Sequence, residues 1–207
     1  MASAELNSIA LKMVARKKGI LAADESTGTM TKRLDSINVK STSDSRRLWR
    51  QLLFQTPGIS DYISGVIMYD ETIRQSDDSG KSFVELLADK DILSGIKVDN
   101  STHDLAGAPG EFITEGLDGL RGRLAEYYKL GARFTKWRAL IVVGEGKPSD
   151  YAIRTNMHAL ARYSALCQEQ GLVPIVEPEV FMDGSHSIED CRSATTRSLI
   201  VVFEELD

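Results

Sequence analysis

The sequence predicts an α/β fold of parallel strands, and three observations carry that prediction. Apolar runs of strand length alternate with stretches of helical periodicity from Gly19 onwards, an order that implies parallel strands joined by right-handed crossovers. Charge gathers towards the C-terminal end of each apolar run. No low-complexity linker divides the 207 residues, a length at which a single domain can bury a substantial core.

The elements are justified in order. Ser3 can cap a first helix whose stripe is Leu6, Ile9, Ala10, Met13 and Val14, ended by Gly19. Gly19-Ile20-Leu21-Ala22-Ala23 reads as a short buried strand, stopped by Asp24-Glu25-Ser26-Thr27-Gly28. That stop is rich in acceptors, as a loop facing a polar ligand would be. It is equally a helix N-cap with acids beside it, and the two readings are compatible. Thr42 or Ser43 starts a helix carrying Leu48, Leu52 and Leu53 before Pro57-Gly58. A second strand runs from Ile63 to Tyr69 and ends on Asp70-Glu71, followed by a helix with Phe83, Leu86 and Leu87. The third strand, Ile92 to Val98, places Lys97 and Asp99 on one face. After a Gly- and Pro-rich loop (106–110) comes a helix with Leu117, Leu120, Leu124 and Tyr128 in phase, closed by Gly131. The fourth strand runs to Val143. Ser149 then caps a long helix through Ile153, Met157, Leu160 and Cys167 to Gly171. In the fifth strand, Leu172 to Val180, Ile175, Glu177 and Glu179 share a face. A last helix, capped by Ser187 with Asp190 three residues on, carries Ile188, Cys191, Leu199 and Val202.

The bulk properties narrow the function classes. A net charge of -5 argues against a sequence-independent grip on nucleic acid or an anionic membrane. The runs Arg16-Lys17-Lys18 and Arg46-Arg47 are short and read as solvated helix ends or faces. Cys167 and Cys191 lack metal-site spacing and read as reduced core thiols of an intracellular protein. No apolar run is long enough to span a bilayer. The N-terminus lacks the order of charge, apolar core and cleavage site of a signal peptide, which makes the cytoplasm the expected address.

The stretch Ala132-Arg133-Phe134-Thr135-Lys136-Trp137-Arg138 concentrates the chemistry. Read as a strand, it puts Phe134, Lys136 and Arg138 on one face and Thr135 and Trp137 on the other. Trp137 offers apolar surface for packing on a helix. Two cations beside the apolar run Leu140-Ile141-Val142-Val143 are costly to bury unpartnered. They either face solvent on a sheet edge or meet carboxylates or a bound phosphate. The other strands favour the second reading: Asp24, Asp70, Lys97 with Asp99, Lys136 with Arg138, and Glu177 with Glu179 all lie towards the same end of their strands. In parallel α/β folds ligands bind at that end. A site mixing cations and carboxylates suits an anionic, hydroxylated ligand such as a sugar phosphate, with the acids handling protons.

Five strings extend this reading: Gly19-Ile-Leu-Ala-Ala-Asp-Glu-Ser-Thr-Gly28, Gly95-Ile-Lys-Val-Asp99, Gly116-Leu-Asp-Gly-Leu120, Phe134-Thr-Lys-Trp-Arg138 and Val173-Pro-Ile-Val-Glu-Pro-Glu179. In order and spacing they resemble class I fructose-bisphosphate aldolase, the Schiff-base type, over nearly the whole chain from about Ile9. The resemblance implies a TIM (β/α)8 barrel, here its first five βα units as a single incomplete domain over residues 1–207, since a whole barrel takes about 250 residues. It also implies the reversible cleavage of fructose 1,6-bisphosphate to dihydroxyacetone phosphate and glyceraldehyde 3-phosphate, without a metal or other cofactor because the iminium serves as the electron sink. Carried over by position, Asp24 would assist proton movement and C3–C4 cleavage, and Lys136 would be the cation beside the Schiff base. Glu177 would be the acid/base that dehydrates the carbinolamine, supported by Glu179. Lys97 and Arg138 would bind substrate oxygens and phosphate, and Arg33 a phosphate at the rim. Thr29 stands where the family commonly has serine, and Asn100-Ser101 where it usually has Lys-Gly. A homotetramer is implied for a full-length protein.

The family's Schiff-base lysine lies in a Leu-Lys-Pro-Asn-Met-like string on the sixth strand, and residues 1–207 contain no such string. Two expectations follow: an aldolase sequence that is incomplete, or a genuine short product acting as a non-catalytic binding or scaffold protein. A third is that Lys136 or Lys97 forms the imine itself.

Overall fold

A computed structural model describes residues 2–207. A five-stranded sheet has the order β1-β2-β3-β6-β7, with β1 Gly19–Ala23, β2 Ile63–Met68, β3 Leu93–Lys97, β6 Phe134–Ile141 and β7 Val173–Val180. β1 runs parallel to β2, and β2 to β3. Hydrogen bonds from Arg133 N to Ser94 O (2.8 Å) and Val98 N to Lys136 O (3.1 Å) advance together along β3 and β6, so that pair is parallel too. The bonds Val173 N to Arg133 O (3.0 Å) and Phe181 N to Ile141 O (2.8 Å) do the same for β6 and β7. By contacts the chain forms two compact units: 1–97 with 125–135 and 171–173, and 98–124 with 136–170 and 174–207.

The first unit opens with α1 Ala2–Met13. Ser3 falls within the range of that helix, and its side chain, on which the expected cap depends, lies outside what the structure describes. Ile9 and Met13 are buried, whereas Val14 is exposed beyond the helix end. β1 is less buried than its apolar sequence suggests, because it is the outermost strand: only Ala23 is buried, and Gly19 and Ala22 are exposed. α2 Thr27–Ser36 starts at Ser26, whose Oγ accepts from Thr29 N. α3 Ser43–Phe54 has the expected Thr42 cap, closed reciprocally by Ser45. Its buried side is not the leucines. Arg50 and Phe54 are buried while Leu48 and Leu52 are exposed, because Phe54 packs edge-on to Phe83 (centroids 5.2 Å apart) and Arg50 has backbone acceptors to reach. Short helices α4 Ile59–Tyr62 and α5 Asp70–Ile73 flank β2. α6 Phe83–Ala88 buries Phe83, Leu86 and Leu87 behind a Ser82–Glu85 capping box.

One packing detail fixes the sheet here. The Phe134 ring lies over strand residues Gly65 and Gly95. A Cβ on Gly95 would come within 2.2 Å of that ring, and one on Gly65 within 2.9 Å. Glycine in these strands is therefore a matter of close approach.

In the second unit the Gly- and Pro-rich loop 106–110 joins two strands that the sequence reading did not assign: β4 Thr102–Asp104 pairs antiparallel with β5 Phe112–Thr114. Asn156, 1 % exposed, secures it by accepting from Thr114 N and donating to Phe112 O. Helix α7 Leu120–Leu130, which from residue 125 on belongs to the first unit, buries Leu120 and Leu124, and Tyr127 rather than Tyr128. α8 Asp150–Glu169 has the expected Ser149 cap, which is itself gripped by the buried Glu111 carboxylate (Ser149 N to Oε1 2.8 Å, Oγ to Oε2 2.6 Å). Trp137 is fully buried and meets Tyr163 of α8 at 5.4 Å between rings, the helix packing expected of it. α9 Ile188–Leu206 has the expected Ser187–Asp190 capping box. Its buried side is Ala194, Ser198 and Val202; Ile188 and Leu199 face outward. Among the described residues, no helix is long and apolar enough to cross a membrane.

Candidate functional site

β6 shows the alternation the sequence implies: Thr135, Trp137, Ala139 and Ile141 are buried, and Lys136, Arg138 and Leu140 are half-buried. The two cations sit mid-strand, not at its end. β6 overruns its neighbour, and the bond from Val98 N to Lys136 O sets Lys136 level with the residue just past β3. Strand-end chemistry is thus measured from the shorter strand.

Beside these cations, β7 presents Glu177 and Glu179 on the matching face. Lys136 Nζ is 3.5 Å from Glu177 Oε2, and Arg138 donates to Glu179 Oε1 at 3.3 Å. These are two consecutive rungs of cross-strand cation and carboxylate. Side-chain exposures of 13 % for Lys136 and 30 % for Glu177 leave the inner rung only partly solvated, so its Coulomb attraction is stronger than at an open surface. The outer rung is wetter and longer than a tight charge-assisted bond. Tyr163 donates to Ile175 O (3.2 Å), fixing β7 two residues before Glu177.

The other predicted residues fall in the first unit. Asp24, 8 % exposed, follows the last residue of β1. Thr29 is exposed, with its hydroxyl 3.2 Å from Ser26 Oγ. Arg33 lies in the last turn of α2 and ion-pairs with Glu25. Lys97, half-buried, is the last residue of β3. Asp70, another strand-end acid, serves the fold: Arg74 (2.8 Å) and the Tyr127 hydroxyl (3.0 Å) both bind its Oδ1. Hydrogen bonds donated to Asp70, then to Glu126, hold the Arg74 guanidinium well above its ordinary value.

Arg50 was not singled out by sequence reasoning. At 2 % exposure, its Nε donates to Ala23 O (2.9 Å), and its Nη2 donates to Glu25 O (3.0 Å) and lies 2.9 Å from Glu25 Oε2. Burial pulls this guanidinium below its ordinary value, against the raising influence of Glu25, Asp24 and Glu71. The signal available was Arg46, Arg50 and Phe54 at four-residue spacing, one helix face. Arg46 is likewise no solvated charge: it forms a two-pronged pair with Glu71 (2.8 and 2.6 Å) that raises Arg46 and holds the Glu71 carboxyl below its usual range. Arg47 bonds to Asp44 and Asp78. Cys167 is buried and Cys191 half-buried, both as free thiols. No cluster of His, Cys, Asp and Glu that could hold a metal occurs among the described residues.

Comparison with known proteins bears on the family of the chain. The family described as "Fructose-bisphosphate aldolase class-I" matches residues 5–207. A probable fructose-bisphosphate aldolase class 1 of Xanthomonas campestris is 56% identical over 206 residues, covering 100% of this chain and 62% of the relative. The chain thus spans less than two thirds of that relative's length. The cytosolic fructose-bisphosphate aldolase 4 of Arabidopsis thaliana is 54% identical over 189 residues, 91% of this chain and 48% of that protein. Among solved structures, fructose-bisphosphate aldolase from Plasmodium falciparum, in a ternary co-crystal with TRAP and a small-molecule inhibitor, superposes with a TM-score of 0.97. It is 46% identical, covering 99% of this chain and 60% of that one.

Proposed function

The chain belongs to the class-I fructose-bisphosphate aldolase family, and we propose that the polypeptide carrying it cleaves fructose 1,6-bisphosphate through a Schiff base. Its fold is that of the first five βα units of the family's (β/α)8 barrel, and we take residues 1–207 as part of one barrel domain. The observation that carries the functional reading is the pair of cation–carboxylate rungs on β6 and β7. A carboxylate 3.5 Å from a lysine, half-shielded from water, is suited to shuttle a proton beside a positively charged intermediate.

In this reading a lysine amine attacks the substrate ketone, and Glu177 protonates the departing carbinolamine hydroxyl, leaving an iminium. Glu179 and Arg138 orient Glu177 and the substrate oxygens, and Lys136 keeps the site cationic for an anionic substrate. Asp24 takes the hydroxyl proton as the C3–C4 bond breaks. The iminium accepts the bonding electrons, which makes a metal unnecessary. Lys97, Arg33 and Thr29 serve substrate oxygens and phosphate. The nucleophilic lysine belongs to a Leu-Lys-Pro-Asn-Met-like string outside residues 1–207. Homotetrameric assembly and a cytosolic address complete the proposal; the plant relative's name supports the address.

Borohydride trapping tests it. With dihydroxyacetone phosphate, a polypeptide carrying residues 1–207 and the Lys-Pro-Asn-Met string yields a stoichiometric adduct, whereas residues 1–207 alone yield none. An adduct on Lys136 or Lys97 would reassign the nucleophile. Neither trapping nor cleavage by the longer polypeptide would leave the binding or scaffold alternative standing.

A further inference from the structure

Asp24 is one residue past β1 and two before the Ser26 cap of α2. The carbonyls flanking it, Ala23 O and Glu25 O, both accept from the guanidinium of Arg50. Buried carbonyls need acceptor contacts filled, and charged donors are buried only where such acceptors converge. An arginine fork can serve two diverging carbonyls and a carboxylate at once, and a lysine ammonium cannot hold that planar geometry. Arg50 is fixed by α3 and packed one turn from the fully buried Phe54. The Glu25 carboxylate, paired with both Arg50 and Arg33, ties this bracket to the proposed phosphate residue Arg33.

We propose that Arg50 is a positioning residue for Asp24: by holding the backbone on both sides, it fixes where that carboxylate is presented to substrate. The inference rests on the role proposed above for Asp24. Arg50 touches no substrate in this scheme. It acts through the single residue it brackets, and a misplacement of a proton-transfer group by about an ångström is enough to lower turnover about a hundredfold.

Two measurements on residues 1–207 test the bracket directly. In Arg50→Lys, the Asp24 side-chain carboxyl 13C resonance moves, and amide exchange over residues 23–27 quickens at least ~tenfold. Phe54→Leu, which loosens the same helix without touching either carbonyl, leaves that resonance in place. Should Arg50→Lys not fold, Arg50→Gln is read the same way. An unmoved resonance with unchanged exchange in the Arg50 variant, or an equal movement in Phe54→Leu, would overturn the proposal.

In a catalytically active polypeptide carrying residues 1–207, Arg50→Lys lowers kcat at least ~tenfold with KM within about threefold, and adds nothing to the loss from Asp24→Asn. Additive losses would overturn it as well. Full activity in Asp24→Asn would strike down the aldolase role of Asp24, while resonance and exchange still decide Arg50.

Discussion

The end of β1 and the β6–β7 ladder both carry cation–carboxylate pairs, but the pairs are built differently. Around Asp24 the cation is arginine, 2 % exposed, with two carbonyls and a carboxylate within 3.0 Å. On the ladder, Lys136 lies 3.5 Å from Glu177 and Arg138 3.3 Å from Glu179, and all four side chains are partly exposed. The first arrangement turns Nε and Nη2 of Arg50 to the backbone and the Glu25 carboxylate, away from solvent. The second leaves Lys136, Arg138, Glu177 and Glu179 reachable. The Arg50 contacts are thus short, forked and dry, and the two rungs of the ladder longer and wetter.

That contrast can be broken or sharpened by substitution. The largest effect belongs to Glu177→Gln in a catalytically active polypeptide: kcat for fructose 1,6-bisphosphate cleavage falls about 10²–10⁴-fold, as loss of a general acid/base does. Because its ion pair is long and partly solvated, the melting temperature moves by no more than about 2 °C. A large loss of stability with turnover intact would erase the distinction.

Glu71→Gln probes the forked kind. Glu71 is held below its ordinary value of 4.5 by hydrogen bonds from Arg46. A depressed carboxylate contributes stability that is present above 4.5 and lost as pH falls through its folded value. Urea denaturation at neutral pH should show the variant about 1 kcal/mol less stable, discounted for partial exposure. The two curves should converge in acid, with kcat unchanged throughout. A constant gap across pH would mean the pair stabilises by packing rather than charge.

The smallest stability change belongs to the outer rung. Arg138→Met should alter unfolding free energy by no more than about 0.5 kcal/mol, while KM for the bisphosphate rises about 5- to 30-fold, on the order of 1–2 kcal/mol of lost charge-assisted contact. An unchanged KM would take Arg138 out of the substrate site.

How legible all this was depended on what each residue's neighbours are. The strands and their charges could be read because period-two alternation is written locally: Lys136, Trp137 and Arg138 declare their faces without reference to anything distant. The caps at Thr42, Ser149 and Ser187 are equally local. Arg50 was not legible, since its burial depends on carbonyls of residues 23 and 25 that no local pattern announces. For the same reason the outward Leu48 and Leu52 misled: periodicity identifies an apolar stripe but not which stripe another element covers. In α9 the small residues Ala194 and Ser198 took the buried side, which a search for bulky apolar residues passes over. The β4–β5 hairpin hid in three-residue strands, although Thr102-His103-Asp104 and Phe112-Ile113-Thr114 flank a Gly- and Pro-rich turn.

The ring of Phe134 resting on Gly65 and Gly95 carries a consequence for inheritance. A methyl at Gly95 is incompatible with that ring at 2.2 Å, and one at Gly65 nearly so. The glycines are therefore free to vary only after position 134 has shrunk, while a shrunken residue 134 leaves a void until a glycine gains a side chain. Each order of events passes through a less fit intermediate. The three positions form an epistatic trio, and Phe134 sits two residues before the catalytic-site candidate Lys136. A change at any one of the three therefore costs packing, even though none of them touches a substrate in the proposed scheme.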